Sequence, residues 1–334
     1  MADVRLKGIS KSFGKTLAVD NIDLTIENGG FVVLLGPTGA GKTTILRLIA
    51  GLEQPEEGEI YIGERSVIGE TPAQRDVAMV FQQYSLYPHM SVRENLAFPL
   101  RSPILRTPEA QIREKVQQVA EVLLIDHKLD NKATALSGGE MQRVSIGRAL
   151  VREPSIYLMD EPLSSLDAKL RSDLRIELKR LHASLGATLL YVTHDQIEAM
   201  TMATQVGVLD EGKLVQFGTP REIYENPVSL YVASRLGSPR INALPADLFS
   251  GSPAAAKTIG LRPEHIQHGE GQPATVARIE PLGDQTRLHL TLQGHEIVTL
   301  IDPHTDLEPG DILSIQPRNP LYFDANGARI AQGG

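Results

Sequence analysis

The stretch "GGFVVLLGPTGAGKTTILRLIAGL", residues 29–52, passes from one kind of structure into another. Its first part, FVVLL, is a short apolar run bounded by glycines, the pattern of a buried β-strand. Its last part, KTTILRLIAGL, has apolar residues at helical spacing and closes on Gly51, a residue suited to a helix C-terminus. Between them, Gly36-Pro37-Thr38-Gly39-Ala40-Gly41-Lys42-Thr43 matches the phosphate-loop spacing without a mismatch, and Thr44 follows it into the helix. Glycines let backbone N–H groups converge on phosphate oxygens. Lys42 adds a point charge near the β- and γ-phosphates, and the Thr43 hydroxyl can ligate Mg²⁺. A dinucleotide fingerprint fits less well, because it gives the Lys-Thr pair no role and no suitable acid ends a second strand.

Outward from this loop, strand-like and helix-like segments alternate as far as about Arg235. "SIYLMDEP" (155–162) and "ATLLYVTHD" (187–195) read as buried strands. "SSLDAKLRSDLRIELKRLHASLG" (164–186) and "QIEAMTMA" (196–203) read as helices, and "EAQIREKVQQVAEVLLI" (109–125) as a separate helical stretch. Such alternation predicts a mainly parallel sheet of α/β type. "AVDNIDLTIENGG" and "GEIYIGERSV" suit antiparallel strands at the N-terminal edge. The character changes in "RLGSPRINALPADLFSGSPAAAKT" (235–258), rich in Pro, Gly, Ser and Ala. Beyond it, "ATVARIE", "TRLHLTLQG", "HEIVTLI" and "DILSIQP" predict a small all-β module, read as a barrel.

Composition narrows the function classes. A chain of 334 residues has room for two domains, and 41% hydrophobic with 22% charged residues is ordinary for soluble globular protein. No run approaches the roughly 18 apolar residues of a membrane span. "MADVRLKGISKSFG" has no apolar signal-peptide core, so the expectation is a cytosolic chain. The absence of Cys excludes disulfides and thiolate metal sites. With 33 basic and 41 acidic residues, net −8, the charge argues against a nucleic-acid partner.

An apolar strand that delivers Asp160 and Glu161 at its end supplies the acidic half of a nucleotide site. Asp160 would hold Mg²⁺, and Glu161 would orient or deprotonate the attacking water. Three further residues can complete it. Gln82 follows a strand and has an amide that reaches both a metal and a water. His194 ends another strand and can donate to a γ-phosphate. Phe13 can stack on a flat base. Taken singly, each has an ordinary alternative: a solvated turn for Asp160-Glu161, a solvated Gln, a structural His, a core Phe. A second anion-attracting helix start lies in "ALSGGEMQR" (135–143), where Ser137 and Glu140 also spell a capping box.

Together these residues resemble the ATP-binding cassette (ABC) ATPases. "GPTGAGKT" resembles their phosphate loop, "FQQY" the Q-loop, "LSGGEMQR" the signature, "IYLMDEP" the acidic strand, "SSLD" the D-loop and "VTHD" the switch histidine, all in the family's order. The resemblance implies that Phe13 stacks on adenine. It also implies that two copies sandwich two ATPs, so that Ser137, Gly138, Gly139, Glu140 and Asp167 of one chain face the nucleotide of the other. Many family members have Gln where this chain has Glu140; its carboxylate either adds charge near the phosphate or turns back as a cap.

"QYSLYPHMSVRENLAFPL", "DEPLSSLDAKLR", "VTHDQIEAMTMA" and "GTPREIYENP" are similar to the ATPase subunits of bacterial carbohydrate importers of the maltose and glycerol-3-phosphate type. That resemblance implies an ABC nucleotide-binding domain over 1–235, with a helical subdomain near 88–152. It implies an oligonucleotide-binding-like β domain of the TOBE type over 236–334, opened by "GLRPEHI" and regulatory or dimerising in role. The implied cofactors are ATP and Mg²⁺. The implied partners are a second copy, a permease docked near Tyr84, Leu86, Tyr87, Pro88 and Met90, and indirectly a solute-binding protein, with no nucleic acid. The implied place is the cytoplasmic side of the bacterial inner membrane, peripherally attached. The competing class is a non-transport cassette ATPase of translation or DNA repair, which the single cassette and the lack of Cys and heptads disfavour.

Overall fold

A computed structural model describes residues 2–103 and 105–330; the last four residues of the expected C-terminal module, 331–334, lie outside that range. The chain divides into two compact units, residues 1–220 and 221–334.

In the first unit the elements run β1 (Val4–Phe13), β2 (Thr16–Ile26), β3 (Phe31–Leu35), α1 (Lys42–Ala50), β4 (Glu57–Ile62), β5 (Arg65–Ser66) and β6 (Val77–Val80). Three helices follow, α2 (Val92–Ala97), α3 (Glu109–Val122) and α4 (Gly138–Leu150). The unit closes with β7 (Ile156–Asp160), α5 (Ala168–Leu185), β8 (Leu189–Thr193), α6 (Gln196–Met202), β9 (Gln205–Asp210) and β10 (Lys213–Gly218). The main sheet has the order β10-β9-β3-β8-β7-β6, with every pairing parallel except the β10 edge. All residues of β3, β7 and β8 are buried, as a parallel sheet covered on both faces requires. Each large aliphatic side chain so buried contributes roughly 1.5–3 kcal/mol.

An antiparallel sheet, β2-β1-β4-β5, holds the two N-terminal edge segments expected from sequence. Its central strand β1, with Phe13 at its end, carries Lys, Ser and Gly among its apolar residues and so gives little sequence signal. The β9–β10 hairpin lies outside the segments read as strands from sequence; its strands are joined by the Glu211-Gly212 turn, both residues at positive φ.

Helices α2, α3 and α4 pack on one another through a glycine. A Cβ on Gly147 of α4 would lie 2.6 Å from Leu96 Cδ2 of α2 and 3.0 Å from Leu123 Cδ1, just past α3. Both leucines are buried, so neither has room to withdraw. Among the described residues no helix is long and apolar enough to cross a membrane.

Helix α7 (Pro220–Glu225) starts on the last residue of the first unit; α8 (Leu230–Arg235) follows in the second, whose described strands all pair antiparallel. One sheet comprises β11 (Asn242–Pro245), β12 (Thr258–Leu261), β17 (Leu321–Phe323) and β18 (Arg329–Ile330). The other comprises β13 (Ile266–Pro281), β14 (Thr286–Leu292), β15 (His295–Ile301) and β16 (Ile312–Pro317). The small barrel read from the strand spacing thus takes the form of two four-stranded sheets sharing one core. Asn242 joins them: its amide donates to Leu261 O and Val298 O and accepts from the Val298 N–H. Buried Arg262, in the segment "GLRPEHI", ties the helices to the strands. It donates to the carbonyls of Ala233, Leu236 and Tyr224 and lies 3.8 Å from the Tyr224 ring.

Replacing Gly147 with Val forces the three helices apart and should cost about 1–3 kcal/mol through overpacking. Urea denaturation of the parent and variant measures this directly; equal midpoints would disprove the close contact.

Candidate functional site

The parallel strands end side by side. Leu35 of β3 stands opposite Thr193 of β8 and Val208 of β9; Val192 stands opposite Asp160 of β7, and Met159 opposite Val80 of β6. The chain therefore leaves the sheet at one end into Gly36, His194, Glu161 and, two residues past β6, Gln82. Ligands of open α/β sheets bind at this carboxyl end.

Gly41 is where the phosphate loop must be glycine. Its φ of 96° is left-handed, and a Cβ there would lie 2.4 Å from the Ala18 carbonyl oxygen on β2. The tip, Thr38 and Gly39, is exposed, and a Cβ on Gly39 would meet no atom within 4 Å, so the cradle is open.

Lys42, the first residue of α1, is 6% exposed. Its ammonium donates to Gly36 O and Pro37 O, both at 2.9 Å, and lies 3.9 Å from Glu161 Oε1. Burial pushes its pKa below that of an ordinary lysine, while Glu161 and Asp160 pull it back up. Beside it, Thr43 Oγ1 donates to Asp160 Oδ1 at 2.9 Å. Burial raises the pKa of the Asp160 carboxyl, the Thr43 hydrogen bond opposes that rise, and the Glu161 charge adds to it. A nearby cation would offset this penalty on the ionised form. The hydroxyl–carboxylate pair offers oxygen donors to a hard divalent cation that keeps water and substrate phosphates as its other ligands. The donor set fits Mg²⁺, with Thr43 and Asp160 as the residues that would hold it.

Glu161 adopts φ 44°, a strained value for a residue other than Gly, and its N–H donates to Val192 O. This turn aims its carboxylate at two partners, Lys42 and His194, whose Nδ1 is 3.1 Å from Glu161 Oε2. A carboxylate only accepts, so Nδ1 carries the proton. The imidazole side chain is 61% exposed.

Lys42, Thr43, Asp160, Glu161 and His194, predicted from segments far apart in sequence, are thus in one contact network. Gln82 is exposed beyond β6. Phe13, 45% exposed, ends β1 at the turn into β2, the strand against which Gly41 packs; Lys11 Nζ sits 5.4 Å over its ring.

The signature residues engage a different neighbourhood. Ser137 caps α4 and Glu140 completes the capping box: Ser137 N–H donates to Glu140 Oε2 at 2.8 Å and Glu140 N–H to Ser137 Oγ at 3.4 Å. The Glu140 carboxylate therefore turns back, and it pairs with Lys128 at 3.2 Å, a partner that sequence spacing did not suggest. A Cβ on Gly138 would meet the Tyr84 hydroxyl at 3.1 Å, and one on Gly139 would meet Leu170 Cδ2 at 2.3 Å. Asp167 caps α5 by accepting from the Leu170 N–H at 2.9 Å. None of these contacts is with the phosphate loop of the same chain.

The segment after Gln82 is held by residues that sequence reasoning missed. Buried Asn95 accepts from Tyr87 N–H and donates to Tyr87 O and Ser91 O. The Arg148 guanidinium lies 4.8 Å over the Tyr87 ring, which also neighbours Phe98 and His89 with ring centres 4.5 and 6.4 Å away. Tyr84, Leu86, Tyr87 and Met90 are half-buried and Pro88 is exposed. A groove beside them is lined by Met79, Phe81, Tyr84, Ser145, Arg148 and Arg152. The Asn95 bonds are local, but Arg148 also donates to Ser85 O across 63 positions, a contact no local pattern reveals.

Residues 19–164 match the ABC transporter family and residues 259–320 the TOBE domain. The chain is 45% identical, over 99% of its length and 100% of the relative's, to an sn-glycerol-3-phosphate import ATP-binding protein, UgpC, of Ruegeria sp.. It is 43% identical to the maltose/maltodextrin import ATP-binding protein MalK of Escherichia coli, over 87% of this chain and 86% of that protein. Among solved structures it resembles an ATP-binding cassette in a dimeric, post-hydrolysis state bound to ADP and Pi. That match has a TM-score of 0.59 and 31% identity, covering 65% of this chain and 99% of the other.

The hydrogen bonds from Ser137 hold the Glu140 carboxyl below the usual carboxylate range. A group lowered in the folded state stabilises above its unfolded pKa and loses that contribution as pH falls through the folded one. Gln keeps the capping box but loses the pair with Lys128. Glu140→Gln should therefore cost about 0.5 kcal/mol at neutral pH and low salt, and nothing in acid. Urea midpoints at both pH values check this; a cost that persists in acid would contradict it.

Proposed function

The chain belongs to the ABC transporter family as one of its ATP-binding proteins, and on that footing we propose that two copies close on two ATPs and drive a permease that imports a sugar, polyol or glycerol phosphate. Its activity is ATP hydrolysis with Mg²⁺. The observation that carries the residue assignments is the network of Lys42, Thr43, Asp160, Glu161 and His194 at one end of the sheet.

The loop Gly36–Thr44 binds the phosphates through backbone N–H groups, with Lys42 neutralising charge on the β- and γ-phosphates. Mg²⁺, when bound, neutralises charge developing on phosphate oxygens. Thr43 and Asp160 hold that ion, with Gln82 as a further ligand that also orients the water. Glu161 takes a proton from the attacking water. Lys42 restrains its carboxylate on one side and His194 on the other. Because His194 Nδ1 faces Glu161, a neutral imidazole presents only a lone pair at Nε2. Donation to the γ-phosphate therefore requires either that the ring swing away from Glu161 or that it take up a second proton. Its exposure leaves room for the first.

Ser137, Gly138, Gly139, Glu140 and Asp167 complete the site of the other copy. That their named contacts are with residues other than their own phosphate loop supports this, as does the N-terminus of α4 as a place for an anion. Phe13 stacks on adenine. The relatives that import glycerol-3-phosphate and maltodextrin support the solute class. In this role the subunit sits on the cytoplasmic face of the bacterial inner membrane, with a solute-binding protein beyond the permease. The permease docks near Tyr84, Leu86, Tyr87 and Met90, a reading supported by their partly exposed apolar surface and the groove that Tyr84 lines. The module over 236–334 regulates or dimerises the subunit, and the cassette occupies 1–235.

Glu161→Gln should lower phosphate release by about 10²–10⁴-fold, the usual worth of a general base, yet leave an ATP-held dimer in gel filtration. A parental rate would remove Glu161 from the proposed chemistry. Tyr87→Asp should abolish co-purification with the permease and leave ATP binding intact; an unaltered complex would move the docking surface elsewhere.

A further inference from the structure

Arg171 stands in the first turns of α5, four residues after the cap Asp167, where a positive charge opposes the helix dipole. Its guanidinium works in two directions. Nε donates to Leu163 O at 3.3 Å and Nη2 to Leu166 O at 2.8 Å, both carbonyls in the turn that leads from Glu161 to Asp167. Nη1 lies 3.7 Å from Asp195 Oδ2, on the residue that follows His194.

Asp195 is itself fixed. Its other carboxylate oxygen caps α6 by accepting from the Ile197 N–H at 2.7 Å, and its own N–H donates to Thr193 Oγ1 at 2.9 Å. Two turns are therefore joined twice. Glu161 and His194 join them through the reacting groups, and Arg171 and Asp195 join them through an ion pair separate from those groups. The rigid guanidinium fork can hold two carbonyls and a carboxylate at once, which a lysine ammonium on a flexible stem cannot.

We propose that Arg171 is a positioning residue that makes the His194–Asp195 turn and the Leu163–Asp167 turn move as one piece. A shift of His194 away from Glu161 is then passed to Asp167. The consequence for the second nucleotide rests on the shared-site dimer proposed above, in which Asp167 faces the partner's ATP.

The test compares the full chain with Arg171→Lys, Asp195→Asn and the double variant, since Asn keeps the helix cap and removes only the charge. Each single variant should lower kcat about tenfold and leave KM for ATP within about twofold, as expected when an interaction acts after binding. The double should fall no further than Arg171→Lys alone, because that change already loosens the Asp195 pair along with the two carbonyl bonds. Melting temperatures should match the parent. Parental kcat in both singles would overturn the proposal. So would effects that multiply in the double, or losses of kcat that track losses of melting temperature.

Gel filtration of Glu161→Gln with ATP keeps the two readings apart. No dimer together with coupled kcat effects rejects the shared site and retains the tie within one chain. A dimer with uncoupled effects retains the shared site and rejects the tie.

Discussion

Five parallel strands that finish in register impose the arrangement on which everything else in the first unit depends. Their faces are covered, so the chain exits at the strand ends, and those of β3, β7 and β8 lie next to one another. Whatever residue follows each strand is thereby brought to one edge. Gly36, Glu161 and His194 are those residues. The 2.9 Å bond from Thr43 to Asp160 closes 117 positions of sequence into one contact.

That edge concentrates charge where burial penalises it. Lys42 and Asp160 are nearly inaccessible, and burial shifts each toward its neutral form, which places each in need of an opposite partner. Within the chain the compensation is partial: two carbonyls with the Glu161 and Asp160 charges for Lys42, and the Thr43 hydroxyl with the Arg47 and Lys42 charges for Asp160. A divalent cation beside Asp160 and a polyanion beside Lys42 would add a further opposite charge to each. The strained backbone at Glu161 belongs to the same design, because an extended residue there would point the carboxylate elsewhere.

The signature helix follows another logic. Its start is satisfied inside the chain by Ser137 and Glu140, and Gly138 and Gly139 let Tyr84 and Leu170 come close. Tyr84 also donates to Ser165. The helix that faces a partner in the proposed dimer is thus built into the same layer as the segment after Gln82 and the turn before Asp167. Arg171 extends that layer to Asp195, the residue after His194. In the second unit Arg262 and Asn242 do comparable structural work, one buried polar side chain each holding backbone groups from separate elements.

Local sequence determined the phosphate loop, the buried strands around it, the helix ends at Gly51 and Gly186, and the capping box at Ser137. In each case the signal and its cause lie within a few residues: a left-handed glycine, an apolar run, a side chain reaching three positions on. The division into an α/β part and a β part was legible for the same reason. Strand β1 was not, because its polar and glycine positions blur the alternation. Only the tertiary structure decided that Lys128 meets Glu140, that Arg148 covers Tyr87, and that Arg171 links Leu163, Leu166 and Asp195. Lysine and arginine side chains are long and suit any surface, so their spacing carries no information about a partner. What selects the partner is the geometry of carbonyls and carboxylates brought together by distant strands and helices, and that geometry exists only once the sheet has formed.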